Sequence, residues 1–149
     1  MSADDIVLLL DELIHTSQDG RIGYAEAAEF AKEAELKRLF LLRSAECAQA
    51  VDDLQLAVQT LGREPAEQGT LVGAVHRGWV RLQAGLRDNN VAVLEELERG
   101  EAHAESVYAR VMEVRLPPEV VGLVQEQYRA VLRNLNEVRN LSVRYRSIA

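Results

Sequence analysis

Residues 36–62 read LKRLFLLRSAECAQAVDDLQLAVQTLG, and this stretch decides the fold. Leu36, Phe40, Cys47, Ala50, Leu54, Val58 and Leu61 recur at helical spacing, and Arg43 falls on the same track. No proline interrupts the run, and Gly62 stands where a left-handed residue closes a helix. The spacing predicts a helix over about Leu36–Leu61. Its apolar stripe needs other helices to cover it.

The rest of the chain supplies them. Ser2 or Asp4 can cap a first helix, because either side chain accepts from free backbone N–H groups. Its inward track is Ile6, Leu9, Leu10, Leu13, Ser17, Tyr24, Ala27, Ala28 and Ala31, and a break follows near Glu33–Glu35. Gly20 and Gly23 suit a close helix approach. Beyond Gly62, Pro65 and Gly69 mark a loop from Arg63 to Thr70. A short helix over about Leu71–Leu86 follows, carrying His76 and the single tryptophan, Trp79. Trp79 is expected to pin that helix over Gly100, where a missing side chain permits approach. His76 and Arg77 are the polar residues beside it. Asp88, Asn89 and Asn90 then stop and cap.

A third helix is expected over about Val91–Val114. Leu116-Pro117-Pro118-Glu119 turns the chain into a fourth, with proline tolerated in the first turn. The first and second helices are joined closely, as are the third and fourth, so each pair is an antiparallel hairpin. Roughly 28 residues separate the hairpins, enough for a crossover along a bundle. The expectation is one all-α domain over residues 1–149. It is a ferritin-like four-helix bundle with a crossover at about 62–90 that contains a short fifth helix.

Composition agrees. Hydrophobic residues make up 48% of 149, but aromatics only 5%, which suits helix packing. The net charge of −7 repels phosphate backbones, so nucleic acid is not an expected partner. The C-terminal stretch reverses that sign locally, with Arg129, Arg133, Arg139, Arg144 and Arg146 against Glu137 alone. It reads as a solvated helix face or a contact surface. Cys47 is the only cysteine, so no intrachain disulfide forms. Asp4 and Asp5 precede the first apolar run, unlike a basic signal-peptide start, and no apolar stretch reaches bilayer length. A soluble cytoplasmic protein is expected, with no membrane partner.

The core tracks turn polar near mid-bundle. Arg43, Glu98, Glu101, Gln127 and Asn134 lie on or beside them, with Ser17 from the first helix. Buried charges need partners, so Arg43 is expected to bridge Glu98 and Glu101 while Gln127 and Asn134 satisfy the remainder. The alternative reading is a metal centre for iron or manganese. Its candidate ligands are Glu29, Glu46, Glu98, Glu101, Glu126 and Glu137. A ferritin-like di-iron site needs Glu-x-x-His on two helices, because residues three apart share a face. Here Gln49 follows Glu46, Arg129 follows Glu126 and Asn140 follows Glu137. The one Glu-x-x-His, Glu12 to His15, sits off the apolar track, as does His103. Cys47 reads as a small buried residue with no histidine to activate it.

Several motifs carry a family resemblance. They are Ser17-Gln18-Asp19-Gly20, His76-Arg77-Gly78-Trp79, Glu98-Arg99-Gly100-Glu101 and Leu116-Pro117-Pro118-Glu119, followed by Gln127-Tyr128 and Arg133-Asn134. In this order they resemble a bacterial family of small ferritin-like four-helix-bundle proteins, classed as a domain of unknown function. The resemblance implies a bacterial bundle and no particular reaction. Relatives tend to carry a His-Asp pair where this chain reads Leu135-Asn136, which weakens the metal reading further. The functional expectation is a non-catalytic bundle without a cofactor. It would act through self-association, as a dimer, or through a protein partner, with a stress-associated role by family analogy.

Overall fold

The computed structural model describes residues 1–65 and 89–148. Four helices and no strands occur among them. They are α1 (Ala3–Phe30), α2 (Ala34–Thr60), α3 (Asn90–Met112) and α4 (Pro118–Ile148). None is long and apolar enough to cross a membrane. The expected short helix over Leu71–Leu86, with His76, Arg77 and Trp79, lies outside the described residues, as does the predicted contact of Trp79 with Gly100.

Local chemistry sets the helix ends. Ser2 caps α1 through a reciprocal box: its hydroxyl accepts from the Asp5 amide, and its own amide donates to the Asp5 carboxylate. The break between α1 and α2 spans Ala31–Glu33, slightly earlier than its predicted place. Glu33 becomes the N-cap of α2, its carbonyl accepting from the Lys37 amide at 3.0 Å. At the other end of α2, Gly62 has φ +76°, the left-handed region. Its amide donates to Gln59 O at 2.9 Å and that of Arg63 to Val58 O at 3.2 Å, the paired closure of a Schellman motif. Asn89 caps α3 by accepting from the Ala92 amide at 3.0 Å. The Pro117 carbonyl accepts from the amides of Val120 and Val121, and Pro118, which has no N–H of its own, opens α4.

The helices form a square. α1 packs most extensively on α2 and α3 on α4, α1 also meets α3, and α2 meets α4 along the thinnest seam. Cross-helix pairs fix the directions. Tyr24 reaches Glu101 and Ser17 reaches Tyr108, so α1 and α3 are antiparallel. Arg43 reaches Glu137 and Tyr145 reaches Glu35, so α2 and α4 are antiparallel as well. α2 ends beside the start of α1, where Arg63 pairs with Asp4 at 2.6 Å. α3 begins at the opposite end, where Asn90 donates to Glu33 at 2.8 Å.

Two apolar clusters fill the ends of the square. One gathers Ile6, Leu10, Leu13, Leu54, Val58, Val107, Val111, Val120 and Val124. The other gathers Tyr24, Ala27, Leu36, Phe40, Leu94, Leu97, Val138 and Tyr145. Between them lies a polar waist.

Candidate functional site: the polar waist and its cavity

The waist is built where the apolar tracks of all four helices carry polar or small residues. Gly20 brings α1 against α2: a Cβ there would stand 2.8 Å from Cys47 Sγ. Cys47 therefore sits deep in the waist. Burial, with the Glu101 and Glu46 charges nearby, pushes its thiol up to about 12 despite the nearby Arg43 and Arg21. It is a thiol at neutral pH and partly exposed, so it reacts slowly but within reach of the cavity.

Two tyrosines organise the layer. Tyr24, 1% exposed, donates its hydroxyl to Glu101 Oε1 at 2.6 Å. Tyr108, 2% exposed, donates to Gln127 Oε1 at 2.8 Å, and its oxygen lies 3.4 Å from Ser17 Oγ. Gln127 passes the chain on, donating to the Ala50 carbonyl at 3.4 Å. Burial raises both tyrosines, so each stays a neutral donor. The sequence places Tyr24 on the apolar track of the first helix. The signal that their hydroxyls matter is the choice of Tyr over Phe, since a buried phenol needs a partner.

Glu101 is a strongly perturbed carboxylate. It is 7% exposed, and burial raises it to about 7, opposed by the Tyr24 hydrogen bond and the Arg43 charge. Its second oxygen makes no hydrogen bond among the described residues.

Arg43 does not bridge Glu98 and Glu101. It bonds Glu46, one turn on, and Glu137 of α4. The reason is the square: α2 and α3 are diagonal, with no close backbone approach, whereas α4 is adjacent to α2. The Arg43 side chain is 12% exposed, and both partners stand half in water. Burial alone would lower its pKa, but the two carboxylates outweigh it and leave it raised. Glu98 faces the α3–α4 seam instead, 3.5 Å from Arg139. Asn134 makes no hydrogen bond among the described residues and borders an opening.

That opening is a cavity of about 330 Å³ lined by residues of all four helices. Thr16, Ser17 and Gly20 come from α1; Glu46, Cys47 and Asp53 from α2; Glu101 and Tyr108 from α3; Glu126, Gln127, Arg133 and Asn134 from α4. Glu46, Gln49, Glu126 and Arg133 are exposed, so the mouth lies on the thin α2–α4 seam. Of the six candidate metal ligands, Glu46, Glu101 and Glu126 line this cavity. Glu98 and Glu137 are held in seam ion pairs and Glu29 is exposed on α1. No group of three or more His, Cys, Asp or Glu side chains suited to a metal ion occurs among the described residues. The three acids share a cavity without converging on a point. Glu12, of the lone Glu-x-x-His, pairs with Arg110 at 2.7 Å. The basic stretch is largely used internally, with Arg139, Arg144 and Arg146 facing Glu98, Glu35 and Glu95.

Four packed helices among the described residues, with a polar, solvent-reachable waist, define the class of protein. Residues 5–114 match the domain of unknown function DUF2383, and the chain belongs to that family. The match covers α1 to α3, and the Pro117-Pro118 turn and α4 lie beyond it. No curated protein matches the chain.

Proposed function

We propose that this chain is a non-catalytic, ferritin-like binding bundle whose working part is the waist cavity. The observation that carries the reading is the cavity itself. A fully stabilising core would close at mid-bundle, as it does at both ends, yet here four helices spend polar residues on open space. Asn134 and the second oxygen of Glu101, which line the cavity and make no hydrogen bond among the described residues, suit an occupant. Catalysis is less well supported. Cys47 is held as a thiol, the tyrosines are held neutral, and no histidine lines the cavity among the described residues.

The ferritin-like part rests on chain direction. α2 ends and α3 begins at opposite ends of the bundle, which supports the connectivity of bundles with one long crossover. The acidic charge and the lone thiol favour a cytoplasmic setting without nucleic acid as partner.

Cys47 is a built-in reporter for the cavity. Methyl methanethiosulfonate, small and neutral, should modify it in the folded protein. Ala130→Phe, which fills the space from α4, should slow that modification by about tenfold or more. Modification no faster than global unfolding would remove the reading.

Self-association is a second reading, as a dimer or with a protein partner. Leu42 and Leu56, two heptads apart on α2, are 55% and 62% exposed. Sedimentation of a strict monomer at high concentration would dismiss the dimer. An iron or manganese centre has the weakest support, because the cavity acids are dispersed. Elemental analysis of protein purified without chelators decides it: stoichiometric metal lost on Glu101→Ala would reinstate it.

A further inference from the structure

The lining of the cavity selects its occupant by charge and by shape. Among the described residues four acids line it, Glu46, Asp53, Glu101 and Glu126, against one base, Arg133. Arg43 stands behind Glu46 but is shared with Glu137, so it does not balance the remaining acids. Among the described residues Glu126 has no ion pair and the second oxygen of Glu101 has no hydrogen bond, and both side chains line the cavity. The interior favours a cation.

A point cation fits poorly. A metal ion needs several ligands within bonding distance of one centre, and no such group exists among the described residues. The acids are spread instead. Glu46 and Asp53 are seven residues apart on one side of α2, about 10 Å along the helix axis. Glu126 faces them across the mouth from α4, and Glu101 lies inside from α3. The same lining carries aliphatic residues, Ala104, Leu123, Ala130 and Val131, beside neutral polar ones such as Ser17, Gln127 and Asn134. Dispersed carboxylates together with aliphatic wall match a flexible chain of methylenes with ammonium groups at intervals. The ammonium ends would meet carboxylates while the methylenes lie on alanine, leucine and valine. The volume of about 330 Å³ suits a linear di- or triamine and is at the small end for ligand pockets.

We infer that the waist cavity binds a linear aliphatic polyamine, with Glu101 and Glu126 holding its ammonium groups. This rests on the cavity reading above, and its test separates the two. The probe is spermidine, and the readout is protection of Cys47 from methyl methanethiosulfonate at constant ionic strength. Spermidine at about 1 mM should slow modification about tenfold or more. Magnesium chloride at the same concentration should leave the rate within about twofold, since a small hydrated ion neither fills the space nor meets converged ligands. Glu126→Gln should weaken spermidine protection about fivefold without altering the unfolding temperature, because Glu126 is exposed and unpaired among the described residues. Glu101→Gln should weaken it by more, and if that variant folds poorly, Glu126→Gln and Asp53→Asn carry the test. Equal protection by magnesium, or protection unchanged in Glu126→Gln and Asp53→Asn, would overturn the assignment. If the reagent reaches Cys47 and spermidine leaves its rate unchanged, the polyamine fails and the cavity stands. If the reagent never reaches Cys47 in the folded protein, the cavity fails first.

Discussion

The two ends of the bundle and its waist are made by the same four helices, yet they obey different rules. At the ends, Leu10, Leu54, Leu94 and Leu97 are fully shielded, and packing alone explains the residues chosen. At the waist, a glycine, a cysteine, two tyrosines and a glutamate replace what leucines would do better for stability. The difference teaches that stability is stored at the ends, leaving the middle free to hold polar groups around a space.

The comparison breaks most visibly at its apolar end. Leu10→Ala should cost roughly 3–4 kcal/mol in chemical denaturation, because the surrounding valines cannot collapse into the void. A loss under about 1 kcal/mol would mean that the end clusters are loosely packed. Next is the pH response of the waist. Glu101 titrates higher in the folded protein, about 7, than when unfolded, near its ordinary 4.5. Between those values the folded state binds the extra proton, so stability is fullest below about 4.5 and falls as pH rises to about 7. The drop should be on the order of 2–3 kcal/mol, and Glu101→Gln should flatten the profile over that window. Tyr24 from α1 and Arg43 and Glu46 from α2 are the groups that act on it besides burial.

Arg43→Ala should cost about 2 kcal/mol. That is below the loss for a fully buried pair, because Glu46 and Glu137 regain water when the guanidinium is removed. The smallest effect sharpens the α1–α2 contact. Gly20→Ala should destabilise by about 1 kcal/mol although alanine is the better helix former, and Cys47→Ala in the same chain should remove the penalty. Simple additivity of the two changes would show that the helices do not touch there.

Much of the architecture was legible because helical spacing is a strong signal. The track through Leu36, Phe40, Leu54 and Val58 is the buried track of α2, as Ile6, Leu10, Leu13 and Tyr24 are of α1. Caps at Ser2 and Asn89 and the closure at Gly62 followed from residue chemistry. The polar layer was legible as a list of residues but not as pairings. Which acid Arg43 meets depends on which helices are neighbours and which are diagonal, and no one-dimensional pattern encodes that. Glu46 and Glu137 were among the candidate carboxylates, assigned to a metal rather than to the arginine beside them. The cavity was not visible at all, since empty space depends on the lateral separation of α2 and α4.

The central claim is that the waist is open to solvent and attracts positive charge. Its most direct measurement compares the rates at which two thiosulfonates of similar size modify Cys47 in the folded protein, one bearing a trimethylammonium group and one a sulfonate. Relative to the same pair acting on a free model thiol at low salt, the cationic reagent should gain about tenfold or more, and Glu101→Gln with Glu126→Gln should erase most of that gain. A rate ratio equal to that of the model thiol, or one favouring the sulfonate, would contradict the account.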